Sequence, residues 1–471
     1  MGRNSIITSS RNAVSLFGLA FALASCGGGG GSSSSINRAP QFSSASKVSV
    51  AENSTGSFYS AEASDPEGST VVISIAGGAD GPKFSLDGSG ALTFVKSPNF
   101  DQPTDANHDN IYEVTLSAVD PKGASSTLAL QVTVTNEHEG VATSLVANGF
   151  GPDAVITART DKSGLLIASQ DGSVSQIDPA TDSISAVGNV FQTGETGRIL
   201  AISHFNKMGV VMIDLDNVGV ILRTIPLSDS LATYSSDKLI AGANTENARG
   251  ALYIGGDGYL YAALGDPNGD NAQNSSSGLG KLFRVQIDPY CGASVGTYCF
   301  SAGAIGDGLH APAGGGGYQQ QSFLLDRGTD QQEEVDFYNQ AASPLDFGWP
   351  YREGTYDRTA NPPAAINGPS LTYGYGDDFY SGEGMTGAAY YTGAIASLND
   401  KILMTDQSGK IFDFPASFLS DGTLHSAQEM ENRTADFAPD SGTMGNPEAI
   451  VLDKSGRIFV LDDQGQLFGT S

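Results

Sequence analysis

Between residues 37 and 139 apolar and polar residues alternate along five stretches, KVSVAE, TVVISIAG, ALTFV, YEVTLSAVD and TLALQVTVTNE, split by clusters of Gly, Pro, Asn and Asp. A period of two puts every second side chain on one face of a strand, and turn residues end each run. Several short strands within about a hundred residues, with no helical period, predict an Ig-like β-sandwich.

A different pattern recurs after residue 145. DKSGLLIASQDGSVSQIDP begins at Asp161, GGDGYLYAALGD with GKLFRVQIDP ends at Pro289, LNDKILMTDQSGKIFDFP ends at Pro415, and LDKSGRIFVLDDQGQLFGTS closes the chain. Each copy is strand, turn, strand, with an acidic residue or glycine at the tip. Such units stack radially as propeller blades, and about 330 residues at roughly 40–55 per blade give about six. The chain therefore reads as all-β, a sandwich over 37–139 followed by a six-bladed β-propeller over 145–471, with helices scarce throughout.

The N-terminus follows neither pattern. Arg3 and Arg11 flank the start of a segment whose apolar run, AVSLFGLAFALA, is too short for a permanent membrane helix, and it ends in LASC at Cys26. This resembles a bacterial lipoprotein signal (residues 1–26) with its lipobox. The resemblance implies lipidation of Cys26, a Gly/Ser tether over 27–36, and an exported protein held to a membrane face at the periplasmic side or cell surface. The other two cysteines, Cys291 and Cys299, form a close pair, read as a local disulfide in an exported chain.

Charge narrows the partners. Asp and Glu outnumber Lys and Arg by 52 to 24, for a net charge of −28, so no nucleic-acid backbone is expected to bind. Acidity of this kind suits either simple solubility or contact with divalent cations.

Many of the carboxylates of 37–139 sit at strand ends. Glu52 follows the first strand, SDPEG supplies Asp65 and Glu67, NFDQ supplies Asp101, AVD ends on Asp120, and NEHE closes with Asn136, Glu137 and Glu139. Calcium takes six to eight oxygen ligands from flexible turns of this sort. With its opening Asn-x-Ala-Pro, the segment resembles a cadherin domain, which implies calcium at Glu52, Asp65, Glu67, Asp101 and Asp120. The acidic pair after the third strand is reduced to Asp101-Gln102 and the terminal linker differs from the family's, so one or two sites are expected rather than three. A further alternation, Asp105, Asn107 and Asp109, reads either as a calcium loop or as a polar Asx-rich turn.

The second unit resembles the soluble glucose/sorbosone dehydrogenases. GETGRILAISHF, GGDGYLYAALGD, GLGKLFRVQIDP, EEVDF with DFGWP, and GMTGAAYYTG stand where that family has its blade motifs. The resemblance implies a propeller using pyrroloquinoline quinone (PQQ) and calcium. Its catalytic Asp-His falls on Glu246 and Asn247, and an amide cannot accept a sugar hydroxyl's proton at neutral pH. Arginines that grip the tricarboxylate cofactor fall on His310, Gly445 and Pro447, which counts against PQQ. The family's calcium-type loop is kept as DRGTDQQEE, with Gly328, Thr329, Glu333 and Glu334 as candidate ligands, Arg327 as a new anion contact, and Glu195 in place. The expected function is a lipid-anchored, calcium-binding adhesion or ligand-binding protein, for a cell-surface protein or glycan, with a non-catalytic propeller. A PQQ- and calcium-dependent aldose dehydrogenase and a glycan-binding propeller are the alternatives.

Overall fold

The computed structural model describes residues 36–471 except 226, 228–236, 243–244, 246, 289–298 and 364–365. Cys26 with the signal and nearly all of the tether, Glu246 and Cys291 therefore lie outside the described residues; Cys299 is disulfide-bonded. Regular structure is almost wholly β, with five 3-10 turns of three or four residues, and no helix is long and apolar enough to cross a membrane.

All five alternating stretches of the first unit are strands. Lys47–Ala51, Ser125–Thr135, Ile111–Val119 and Val72–Gly77 form one sheet in that order, the first pair parallel and the rest antiparallel. Ser57–Ser60, Ala91–Phe94 and Phe84–Leu86 form the opposing sheet. The alternation works as the pattern requires: Tyr112, Val114, Leu116 and Ala118 are buried, and the first three join Leu92, Leu130 and Val132 in the core. Phe84 and Phe94 lie 4.7 Å apart at its centre.

The second unit is six sheets in a ring. The innermost strands, blades I to VI, are Val155–Ala158, Gly197–Phe205, Gly250–Ile254, Ala311–Tyr318, Met385–Tyr391 and Pro447–Leu452, and each packs against the next around to the first. The sequence repeats map to the second and third strands of blades, as with Leu165–Ala168 and Ser173–Asp178 in blade I. Thr143–Ala147 pairs with Leu467–Thr470, so the strand leaving the sandwich completes blade VI and closes the ring. Small side chains line the axis: Gly314 packs so closely on blade V that an added Cβ would lie 3.2 Å from the Ala388 nitrogen.

The sandwich is fastened to blade V. The Asn432 N–H donates to the Asp101 carbonyl (2.8 Å), the Asn99 amide to Glu431 (3.0 Å), and the Ser397 hydroxyl to the Glu139 carbonyl (2.9 Å).

Candidate functional site: the axial cavity and the domain junction

A propeller's inner strands all enter the ring from the same face, so the residues at their N-terminal ends meet around one mouth of the axis. Here Asp153, Arg198, Asn247, Arg249 and Glu448 line that end of a cavity of about 810 Å³, within the usual range for small-molecule sites. The walls below are Ala154, Ala251, Gly315, Gly387 and Ala449, which leave the space open.

Asn247 sits in the turn before blade III with φ of 64°, a left-handed conformation that Asn tolerates better than most residues. The Ala248 N–H closes this turn on the Thr245 carbonyl (2.9 Å). His204, the one histidine among the described residues lining the cavity, is buried; Thr160 donates its N–H to the Nδ1 (3.1 Å) and Asp161 lies 3.4 Å from the Nε2. It lies at the end of its inner strand remote from Asn247.

The mouth nevertheless carries arginines, at positions other than those that align with the family's. Arg198 pairs with Asp214 (3.0 Å). Arg327 donates to Gln407 (2.6 Å), in the turn between the second and third strands of blade V. Arg249, two residues past Asn247, has no hydrogen bond or ion pair from its guanidinium among the described residues. Desolvation by the surrounding walls, and then the charge of Arg327, lowers its pKa. Burial raises Glu448, with Asp153 adding to the effect.

The positions aligned with the family's arginines do other work. His310 packs on Trp349 (ring centres 4.3 Å apart) with its Nδ1 against the Arg327 carbonyl, and burial lowers its pKa. The Gly445 N–H donates to Asp462 (2.8 Å), and Pro447 starts the inner strand of blade VI, its carbonyl accepting from Thr386 (2.7 Å). Glu195 lies outside the cavity lining and holds the buried Arg223 (2.6 Å).

The loop at Gly328 and Thr329 points its amides inward. The N–H groups of Thr329, Asp330, Gln331 and Gln332 all donate to Oε1 of Glu353, at 2.8, 3.0, 2.7 and 3.1 Å. A carboxylate of the chain occupies the concavity, and amides rather than carbonyls face it. Glu333 and Glu334, on alternate faces of their strand, accept from the Met385 and Gly354 N–H groups (3.1 and 2.6 Å), and burial raises both, Glu333 to about 7.

The sandwich carboxylates fall in three places. Asp65 accepts from its own turn at Glu67 and Ser69, Glu67 pairs with Arg38 (2.6 Å), and Asp120 accepts from Asn37 (2.7 Å) and its turn amides. Asp105, Asn107 and Asp109 close an Asx-rich turn on themselves: Asp105 takes the Asp109 N–H (2.9 Å) and the Asn107 amide donates to Asp109 (2.8 Å). Glu52 and Asp101 face the propeller, where Glu52 accepts from the Glu137 and Phe100 N–H groups (both 2.8 Å).

At that junction oxygens of Asp101, Glu139 and Asp436 lie within 4.8 Å of one another, the one such acidic group found among the described residues. Arg433 reaches all three through Nη1 (2.7, 2.6 and 3.1 Å), Asp413 through Nε (2.9 Å), and Glu431 through Nη2. Lys401 pairs with Asp413 (3.0 Å) and Glu431. Burial opposes the charge on Arg433, but Asp413, Glu431 and Asp101 hold its pKa well above the ordinary value. Burial, and then mutual repulsion with Asp436, raises Asp101; burial also raises Asp436. Asp101 Oδ1 and Asp436 Oδ1 are buried without a hydrogen-bond partner. Neither Asp436 nor Arg433 carried a motif; an arginine and an acid that meet across 332 residues of sequence, as Arg433 and Asp101 do, leave no local signal.

Comparison with known proteins agrees with this architecture. Residues 37–135 match the family model described as a bacterial Ig domain. No curated protein matches the sequence. A crystal structure of glucose dehydrogenase and one of the soluble aldose sugar dehydrogenase from Escherichia coli in its apo form are similar to the chain, each with a TM-score of 0.51 and 16% identity. Each likeness covers 70% of this chain and 99% of the other. A further glucose dehydrogenase structure gives 0.50 and 14% over the same shares. At this identity the likeness is one of fold. The chain is a bacterial-Ig-type sandwich joined to a six-bladed propeller with the fold of the soluble sugar dehydrogenases.

Proposed function

We propose that this is an exported, lipid-anchored binding protein whose propeller takes a small ligand in its axial cavity without transforming it. The observation that carries the reading is the mouth itself: an amide, Asn247, where proton abstraction needs a base, beside an arginine with no internal partner. The anchor at Cys26 would hold the cavity at a membrane face, where soluble glycan fragments or a cell-surface partner are the ligands met.

The similar structures are named as glucose and aldose sugar dehydrogenases, and the dehydrogenase reading implies PQQ and calcium at this mouth. The residues present do not fit them: His310, Gly445 and Pro447 offer no guanidinium, the mouth's own arginines share it with Asp153 and Glu448, which repel a tricarboxylate, and the 328–332 loop presents amides to Glu353 instead of carbonyls to an ion. Purified protein supplied with PQQ, calcium and aldoses is expected to reduce no dye. Turnover above a heat-treated control would overturn the reading.

Calcium has support at the junction. Among the described residues, Asp101, Glu139, Asp413, Glu431 and Asp436 have Arg433 and Lys401 as their cationic partners, Glu52 adds a further carboxylate to the field, and two buried oxygens there lack hydrogen-bond partners. Asp101, Glu139 and Asp436 would hold the ion, which would supply the missing positive charge. Binding to the folded state alone should raise stability by about 2.7 kcal/mol at a hundredfold excess over Kd, and Asp436→Asn should abolish the shift. Identical melting of the full chain in calcium and in chelator would remove the ion from the reading.

A further inference from the structure

The cavity mouth carries more chemical information than its missing base. Arg249 faces the cavity, makes no hydrogen bond or ion pair from its guanidinium among the described residues, and has the Arg327 and Arg198 guanidiniums as well as the Glu448 and Asp153 carboxylates in its field. A guanidinium left in this state is costly unless an acceptor arrives, and the planar fork suits a carboxylate held through two parallel hydrogen bonds. The same mouth also presents acceptors. Asp153 and Glu448, from blades I and VI, stand across the axis from blade III and line the same space, and Asn247 adds an amide that both donates and accepts. Carboxylates are poor neighbours for a bare anion but good partners for hydroxyl groups, which donate to them.

We infer that the mouth binds a polyhydroxylated carboxylate, a sugar acid of the uronate or aldonate class, with its carboxylate on Arg249 and its hydroxyls on Asp153, Glu448 and Asn247. Arg327 is held by Gln407 and reinforces the positive field without being free to turn fully to the ligand. A purely anionic ligand would leave Asp153 and Glu448 facing negative charge, and a neutral sugar would leave the Arg249 guanidinium without a charged acceptor in direct contact. A cavity of about 810 Å³ admits one or two sugar units. Arg249 is not at any of the positions that align with the family's cofactor-binding arginines (His310, Gly445 and Pro447), so the site belongs to this chain. The inference rests on the reading of the propeller as a ligand-binding module.

The test is calorimetric titration of the full chain with glucuronate, gluconate, glucose and inorganic phosphate at low salt. Glucuronate or gluconate should bind at least tenfold more tightly than glucose and than phosphate, and added salt should weaken the binding. Arg249→Gln should weaken sugar-acid binding by about ten- to a hundredfold with little change in melting temperature, because no direct hydrogen bond or ion pair among the described residues is lost with its guanidinium. Glu448→Gln should weaken sugar acids while leaving phosphate unaffected or tighter. Equal affinity for glucose, equal affinity for phosphate, no binding of any sugar acid, or indifference to Arg249→Gln would each overturn the inference. Dye reduction with an aldose would instead overturn the non-catalytic reading, so the two fail by different measurements.

Discussion

Replacing Arg433 by Met keeps an unbranched apolar stem and removes the charge on which the domain junction is organised. Arg433 is 2% exposed and touches Asp101 and Glu139 of the sandwich and Asp413, Glu431 and Asp436 of the propeller. At an effective dielectric near 20, one pair at about 4 Å is worth about 4 kcal/mol. Five pairs cannot be summed, because the acids repel one another and the guanidinium has been taken out of water. The usable figure is the cost of removing one partner from a buried pair, about 3–5 kcal/mol. The acids can escape part of that cost by taking up protons, as the raised values of Asp101 and Asp436 already indicate. The loss should therefore be larger at pH 8 than at pH 5. Denaturant unfolding and scanning calorimetry of the full chain measure it, and Arg433→Met should separate the sandwich transition from that of the propeller. A double-mutant cycle with Asp101→Asn should give a coupling of about 0.5–3 kcal/mol. If Arg433→Met unfolds within about 1 kcal/mol of the native chain at pH 8, in one transition, the junction is not held by this network.

Asp326, Glu333 and Asp413 are buried carboxyls raised by burial to about 7, from ordinary values of 3.8, 4.5 and 3.8. A raised folded value means stability that is complete below the unfolded value and lost as pH rises through the folded one, so the protein should be more stable near pH 5 than near pH 8, by at most about 3 kcal/mol per Asp, since the folded value lies about two pH units above pH 5; a flat or rising profile over that window would contradict the assignment. Glu353→Ala should cost about 2–4 kcal/mol and open the 328–332 loop to proteolysis, since four N–H groups lose one acceptor; an unchanged cleavage pattern would count against the nest. Asn247→His should give no aldose oxidation with PQQ and calcium, because a base without an oriented cofactor has nothing to act on; turnover by this single variant would show that the mouth still holds the quinone.

The strands of the sandwich and the paired strands of the blades were legible because side-chain alternation and Asp-Gly turn chemistry are local, acting over two to six residues. Tyr112, Val114 and Leu116 declare their face without any other part of the chain. The absence of a base at Asn247 was legible for the same reason, as one residue in one turn. Short strands with mixed patterns, such as Ser57–Ser60 and Phe84–Leu86, were missed because four or three residues cannot show a period. What the acids do was beyond the sequence. Asp65, Asp101 and Asp105 look alike as turn carboxylates, yet one caps its own turn, one meets Arg433, and one closes an Asx loop. That difference is set by how the sandwich docks on blade V. Arg249 and Arg327 lie far apart in the chain, and it is closure of the ring that places both guanidiniums at one mouth. Local periodicity fixes faces and turns, whereas charge depends on distance through space, and only the folded ring and its docked domain set those distances.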